Sequence, residues 1–97
     1  MITRKNEQTL GEVLELLIKK YKLKPKLAEA GLISNWENLM GKLVARYTKR
    51  LYIKDGILYI EVLASPLREE LMYRKSEILE KVNEEMGGAY VTDIAIY

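Results

Sequence analysis

The dipeptide Asp55-Gly56, set between KRLYIK and ILYIEV, constrains this chain more than any other feature. Two runs of β-branched and aromatic residues, joined by two residues that tolerate positive φ, form a tight hairpin. A two-residue turn also fixes the register. Lys54 faces Ile57, Ile53 faces Leu58, Tyr52 faces Tyr59, Leu51 faces Ile60 and Arg50 faces Glu61. Side chains alternate across a strand, so Leu51, Ile53, Leu58, Ile60 and Val62 share one face, which turns to the core. The other face carries Arg50, Tyr52, Lys54, Ile57, Tyr59 and Glu61. Paired tyrosines among basic residues suit a sheet that stacks on single-stranded nucleic acid. Cross-strand tyrosine pairs also stabilise sheets for local reasons, and the residues leave both readings open.

Helical periodicity surrounds the hairpin. Thr9-Leu10-Gly11-Glu12 has the T-x-x-E form of a capping box, and Leu10, Val13, Leu14, Leu17, Ile18 and Tyr21 follow at three- and four-residue spacing. This predicts an amphipathic helix over about residues 10–22. Pro25 suits the first turn of a short helix ending near Gly31. Ser34-Asn35-Trp36-Glu37 is a second capping box, opening a helix whose stripe is Trp36, Leu39, Met40, Leu43, Val44 and Tyr47. Trp36 on that stripe reads as a core anchor. Gly41 sits inside the helix at a cost of about 1 kcal/mol relative to Ala, which points to close approach by a packed neighbour or a ligand.

Beyond the hairpin, Ser65 is placed to cap and Pro66 to occupy the first turn of a helix running to Met86. Leu67, Leu71, the stem of Lys75, Ile78 and Val82 face inward, with Glu70–Arg74 and Glu77–Lys81 as outer i,i+4 pairs. Gly87-Gly88 stops the helix, and YVTDIAIY closes the chain as a strand burying Ile94 and Ile96. The order is α-α-β-β-α-β: one compact α+β domain over residues 9–97 behind a flexible segment 1–8. Its sheet has three strands, is mixed, and has helices on one face. The tyrosine face stays open unless a partner or a second copy covers it, the latter giving a homodimer.

Composition narrows the function. With neither cysteine nor histidine, the chain has no thiolate or imidazole for zinc and no His-based acid–base or nucleophilic machinery. There is no G-x-x-x-x-G-K-[ST] loop for ATP phosphates. The carboxylates Glu69, Glu70, Glu77, Glu84 and Glu85 fall on the outer side of a helix. The chain is therefore expected to be no enzyme and to take no cofactor. The apolar runs are too short to cross a membrane, and no apolar segment follows the basic N-terminus, so a cytoplasmic location is expected.

Charge is uneven. Up to Lys54 there are twelve Lys/Arg against five Asp/Glu, and after it four against nine. A basic half suggests a polyanion or an acidic protein as partner. Lys42, Arg46, Lys49, Arg50 and Lys54 are candidate phosphate contacts, with Tyr52 and Tyr59 stacking on bases. KKYKLKPK adds a secondary basic cluster, Lys19, Lys20, Lys22, Lys24 and Lys26, which also reads as a solvated face.

Four features in order carry a family resemblance: the Trp36…Gly41 helix, the hairpin about Asp55-Gly56, the helix start Ser65-Pro66-Leu67-Arg68-Glu69-Glu70-Leu71, and Val82-Asn83-Glu84-Glu85-Met86-Gly87 before a closing strand. Together they resemble the DciA-like family of bacterial proteins, over roughly residues 8–97. The resemblance implies a KH-like domain and a role in DNA replication: binding a DnaB-type replicative helicase and helping place it on single-stranded DNA. KH domains that clamp a nucleic-acid backbone use a GXXG loop. This sequence has none, so that mode of recognition is not carried over.

Overall fold

A computed structural model describes residues 9–20 and 24–97, the side chains of residues 18–20 excepted. The segment 1–8 and the stripe position Tyr21 lie outside the described residues. The chain runs α1 (Leu10–Lys20), α2 (Lys24–Ser34), α3 (Trp36–Met40), α4 (Lys42–Tyr47), β1 (Thr48–Lys54), β2 (Ile57–Val62), α5 (Ser65–Tyr73), α6 (Lys75–Met86) and β3 (Asp93–Ile96). The expected α+β class with one mixed three-stranded sheet is what forms. The strand order is β1-β2-β3, with β2 antiparallel to β1 and parallel to β3.

The hairpin pairs as its turn dictates, from Lys54↔Ile57 to Arg50↔Glu61. Asp55 and Gly56 both take positive φ, 52° and 78°, which matches the right-handed twist of the strands. A bulge between Thr48 and Arg50 sets Thr48 opposite Val62 and leaves Lys49 as the extra residue. The hydroxyl and N–H of Thr92 both donate to the Gly56 carbonyl, pinning the turn to the entry of β3. Tyr97 continues the ladder: its N–H donates to Ile60 O, and Val62 N–H donates to Tyr97 O at 2.7 Å.

The core lies between one sheet face and the helices. Leu58, Ile60, Val62, Ile94 and Ile96 from the strands meet Leu32, Trp36, Val44, Leu71, Ile78, Val82 and Val91. Leu51 and Ile53 face the same way but are only half-buried, because β1 is an edge strand with only α2 and α4 against it. Both free edges carry a carboxylate on a backbone donor. Lys54/Ile57 and Tyr52/Tyr59 use their backbone groups within the hairpin, so the Ile53 N–H points outward, and Glu29 Oε2 accepts it at 2.9 Å. On β3 the outward Ile94 N–H donates to Asp93 Oδ1 at 2.8 Å. Such caps discourage strand-to-strand association.

Several local expectations are corrected. The predicted helix through Trp36 and Tyr47 breaks at Gly41 (φ 92°, ψ 164°), a region open essentially to glycine alone. A Cβ added there would meet nothing within 4 Å, so conformation and not close packing selects this glycine. The break turns Leu43 outward, 61% exposed, while Trp36 and Val44 stay buried. Ser34 does not cap α3; its hydroxyl donates back to Gly31 O, and α2 continues past Gly31 to Ser34. Ser65 caps nothing and instead accepts from Arg68 Nη1.

The helix after the hairpin is likewise two helices, broken at Arg74 (φ −107°, ψ 19°). Arg74 therefore turns to Glu77, three residues on, in place of the expected Glu70 pairing, and Lys75 is exposed. Gly87 ends α6 with φ 79°, its N–H reaching Glu84 O and that of Gly88 reaching Asn83 O. Those two bonds form a Schellman cap. The Asn83 amide then clasps Val91 through both backbone groups and steers the chain into β3.

At the other end of the chain, Thr9 caps α1 through the Glu12 N–H, as the T-x-x-E pattern predicts. The stripe residues whose side chains are described, Leu10, Val13, Leu14 and Leu17, nevertheless stay exposed.

Candidate nucleic-acid interface

Alternation puts Arg50, Tyr52 and Lys54 of β1, Ile57, Tyr59 and Glu61 of β2, and Asp93, Ala95 and Tyr97 along β3 on the face opposite the core. None of the nine is buried. The Tyr52 and Tyr59 rings stack with centroids 4.8 Å apart and planes 10° from parallel. The guanidinium carbon of Arg50 stands over the Tyr52 ring, 5.1 Å from its centroid. This contact attracts a cation to the ring quadrupole and holds the arginine above the sheet. Lys54 is exposed on the same face, at the turn end.

Tyr97 joins this cluster. Its phenol is raised above the usual tyrosine range by partial desolvation and by nearby Tyr52; Arg50 opposes the shift and Glu61 adds to it. Three phenols, one guanidinium and one carboxylate thus share a sheet face that no described helix covers. Sequence reasoning passed over Tyr97, although the spacing was there: with Ile94 and Ile96 inward, Tyr97 has to point with Tyr52 and Tyr59.

The tyrosines do not stand as two independent platforms. Tyr52 is engaged by Tyr59 and Arg50, so any further aromatic ring would extend an existing stack instead of filling two empty ones. The hydroxyls supply donors and acceptors, and Arg50 and Lys54 supply positive charge.

The remaining candidates are placed differently. Lys42 and Arg46, four residues apart on α4, share one helical side and are exposed; α4 runs straight into β1. Lys49, in the bulge, is exposed but removed from the strict alternation that aligns Arg50 with Lys54. Of the secondary cluster, Lys22 lies outside the described residues, as do the side chains of Lys19 and Lys20. Lys24 and Lys26 are exposed at the start of α2. Lys26 borders a shallow hollow of about 230 Å³ with Pro25, Glu29, Ile53, Gly56 and Tyr90. Ile53 is a core-side residue, so Lys26 belongs to the helical side of the sheet and the basic residues do not merge into one patch.

Among the described residues no group of His, Cys, Asp or Glu side chains could hold a metal ion, and no helix is long and apolar enough to cross a membrane.

Comparison with known proteins gives a consistent result. A family model described as "Dna[CI] antecedent, DciA" matches residues 9–96. A UPF0232 protein of Corynebacterium glutamicum is 29% identical over 90 residues, covering 93% of this chain and 51% of the relative. UPF0232 proteins of Rhodococcus jostii and Mycobacterium marinum are each 23% identical over 92 residues, covering 95% of this chain and 49% of theirs. The chain spans about half the length of the curated relatives it matches.

Proposed function

This chain belongs to the DciA family, and from that premise we propose that it is a non-catalytic accessory factor in bacterial DNA replication, one that helps bring a DnaB-type helicase onto single-stranded DNA. The uncovered face of the sheet is its nucleic-acid contact. The observation that carries this reading is the Arg50–Tyr52–Tyr59 stack, with Lys54 beside it on a face that no described helix covers. Arg50 and Lys54 contact phosphates, Lys42, Arg46 and Lys49 extend the basic surface along the strand's entry, and bases add to the tyrosine stack.

Binding of a fluorescent single-stranded oligonucleotide, followed by anisotropy at low salt, tests this. Affinity should fall steeply with added salt, and charge reversal of Arg50 and Lys54 together should abolish most of it. Tyr59→Ala should weaken binding by about 1–3 kcal/mol with little change in the salt slope. No binding at low salt, or binding indifferent to these changes, overturns the assignment.

The same cluster also suits a protein partner, since tyrosine and arginine are enriched where proteins meet. Recovery of a DnaB-type helicase on the immobilised protein after nuclease treatment, lost in the Arg50 and Tyr59 variants, would assign the face to the helicase instead.

A further inference from the structure

Two apolar helical faces are left bare. On α1, Leu10, Val13, Leu14 and Leu17 are 75%, 38%, 49% and 43% exposed. On α2, Leu32 is buried in the core, while Leu27 and Ile33, 56% and 46% exposed, lie with Ala30 on the opposite side. A helix apolar on both sides is the kind that packs between two partners. The neighbours of α2 here are α6, β1 and α3.

A second copy is a poor fit elsewhere. The caps on Ile53 and Ile94 blunt both sheet edges. On the tyrosine face a second copy would cover the proposed nucleic-acid contact.

Charge order selects between a chain's own α1 and that of a neighbour. In sequence, α1 is acidic early, at Glu12 and Glu15, and ends in Lys19 and Lys20; α2 begins with Lys24 and Lys26 and has no basic residue in its last turn. Parallel docking sets glutamates beside lysines, whereas antiparallel docking sets lysines beside lysines. A chain's own α1 can lie only antiparallel. The four Cα steps from Lys20 to Lys24 span at most ~14 Å, less than the ~16 Å of helix they would retrace. The α1 of another copy has no such tether.

We propose that two copies exchange α1 helices, each laid parallel on the outer face of the other's α2 about a two-fold axis. Every half-exposed aliphatic side chain presents tens of Å² of apolar area. The six large ones on each copy and their neighbours together remove on the order of 1,000 Å² from water, the lower bound for a specific interface. Contact between the two α1 helices alone would leave Leu27 and Ile33 of α2 bare, so reciprocal exchange is the arrangement that covers both faces. It leaves the tyrosine face free.

Sedimentation equilibrium across a range of protein concentrations tests the exchange. The unaltered chain should show a concentration-dependent dimer. Leu14→Lys and Ile33→Glu, both at exposed positions, should each raise the dimer dissociation constant by at least about tenfold. Mixing the two variants should recover dimer, because one of the two α1–α2 contacts is then unaltered. Unchanged thermal melts in dilute solution confirm that both variants fold. A monomer at every concentration overturns the proposal. So does a dimer that Leu14→Lys breaks but Ile33→Glu spares, or a pair of variants that do not recover on mixing.

Discussion

The β1–β2 hairpin and α1 both advertise an apolar face, yet only the hairpin's is covered. Leu58 and Ile60 are fully buried, whereas every apolar residue on the α1 stripe whose side chain is described is at least 38% exposed. Amphipathic pattern is therefore a statement about which side wants cover, not about what provides it. The hairpin is covered because β2 is the central strand, with β1 joined through a two-residue turn and β3 returned by α5 and α6. The two faces of β2 make the same point on a smaller scale: one packs to exclusion of water, and the other holds an aromatic and charged cluster in the open.

The largest effect should come from the covered face. Ile60→Ala deletes fully buried methyl and methylene groups from the central strand and should lower stability by about 2–5 kcal/mol in chemical denaturation. Leu14→Ala, measured in dilute solution, should change stability by no more than ~0.5 kcal/mol, as exposed positions do. A loss at Leu14 as large as at Ile60 would mean that α1 is covered within one chain, which breaks the comparison.

A second pair asks whether contact or conformation governs the glycines. Neither Gly41 nor Gly31 has a neighbour within 4 Å of an added Cβ, but only Gly41 has positive φ. Gly41→Ala should destabilise by about 1–3 kcal/mol through backbone strain. Gly31→Ala, in the middle of α2, should stabilise by about 0.5–1 kcal/mol. Equal effects would mean that the positive φ of Gly41 carries no cost for a side chain.

The smallest effect should come at Arg74–Glu77. Arg74 hydrogen-bonds Glu77 and holds its carboxyl below the usual range, and Glu77 in turn raises Arg74. A depressed carboxylate contributes above its unfolded pKa and loses that contribution as pH falls through its folded value. Both side chains are exposed and screened. Glu77→Gln should therefore barely move the melting temperature near neutrality, and the small difference that exists should vanish in acid.

Much of the fold was legible because it follows from short-range rules. Asp55-Gly56 fixes a turn, the turn fixes a register, and alternation then assigns each residue from Arg50 to Val62 to a face. The same spacing places Tyr97 with Tyr52 and Tyr59. Gly87-Gly88 ended a helix as read. The breaks at Gly41 and Arg74 were not legible as breaks, since apolar spacing runs through both: Trp36 and Val44 keep helical phase across Gly41, and Leu71 and Ile78 keep it across Arg74. Periodicity records which residues are buried, and two short helices can bury the same set as one long one.

The sequence by itself determined the pairing of the hairpin, the division of its side chains between two faces and the exclusion of cysteine- and histidine-based chemistry, because each depends on residue identity and on neighbours a few positions away. Only the tertiary structure decided that Arg50 stands over the Tyr52–Tyr59 stack while Lys26 lies on the helical side of the sheet, and that Leu10, Val13, Leu14 and Leu17 of α1 are left without cover. Those outcomes depend on where distant segments meet, and a local pattern carries the demand for a partner without naming it.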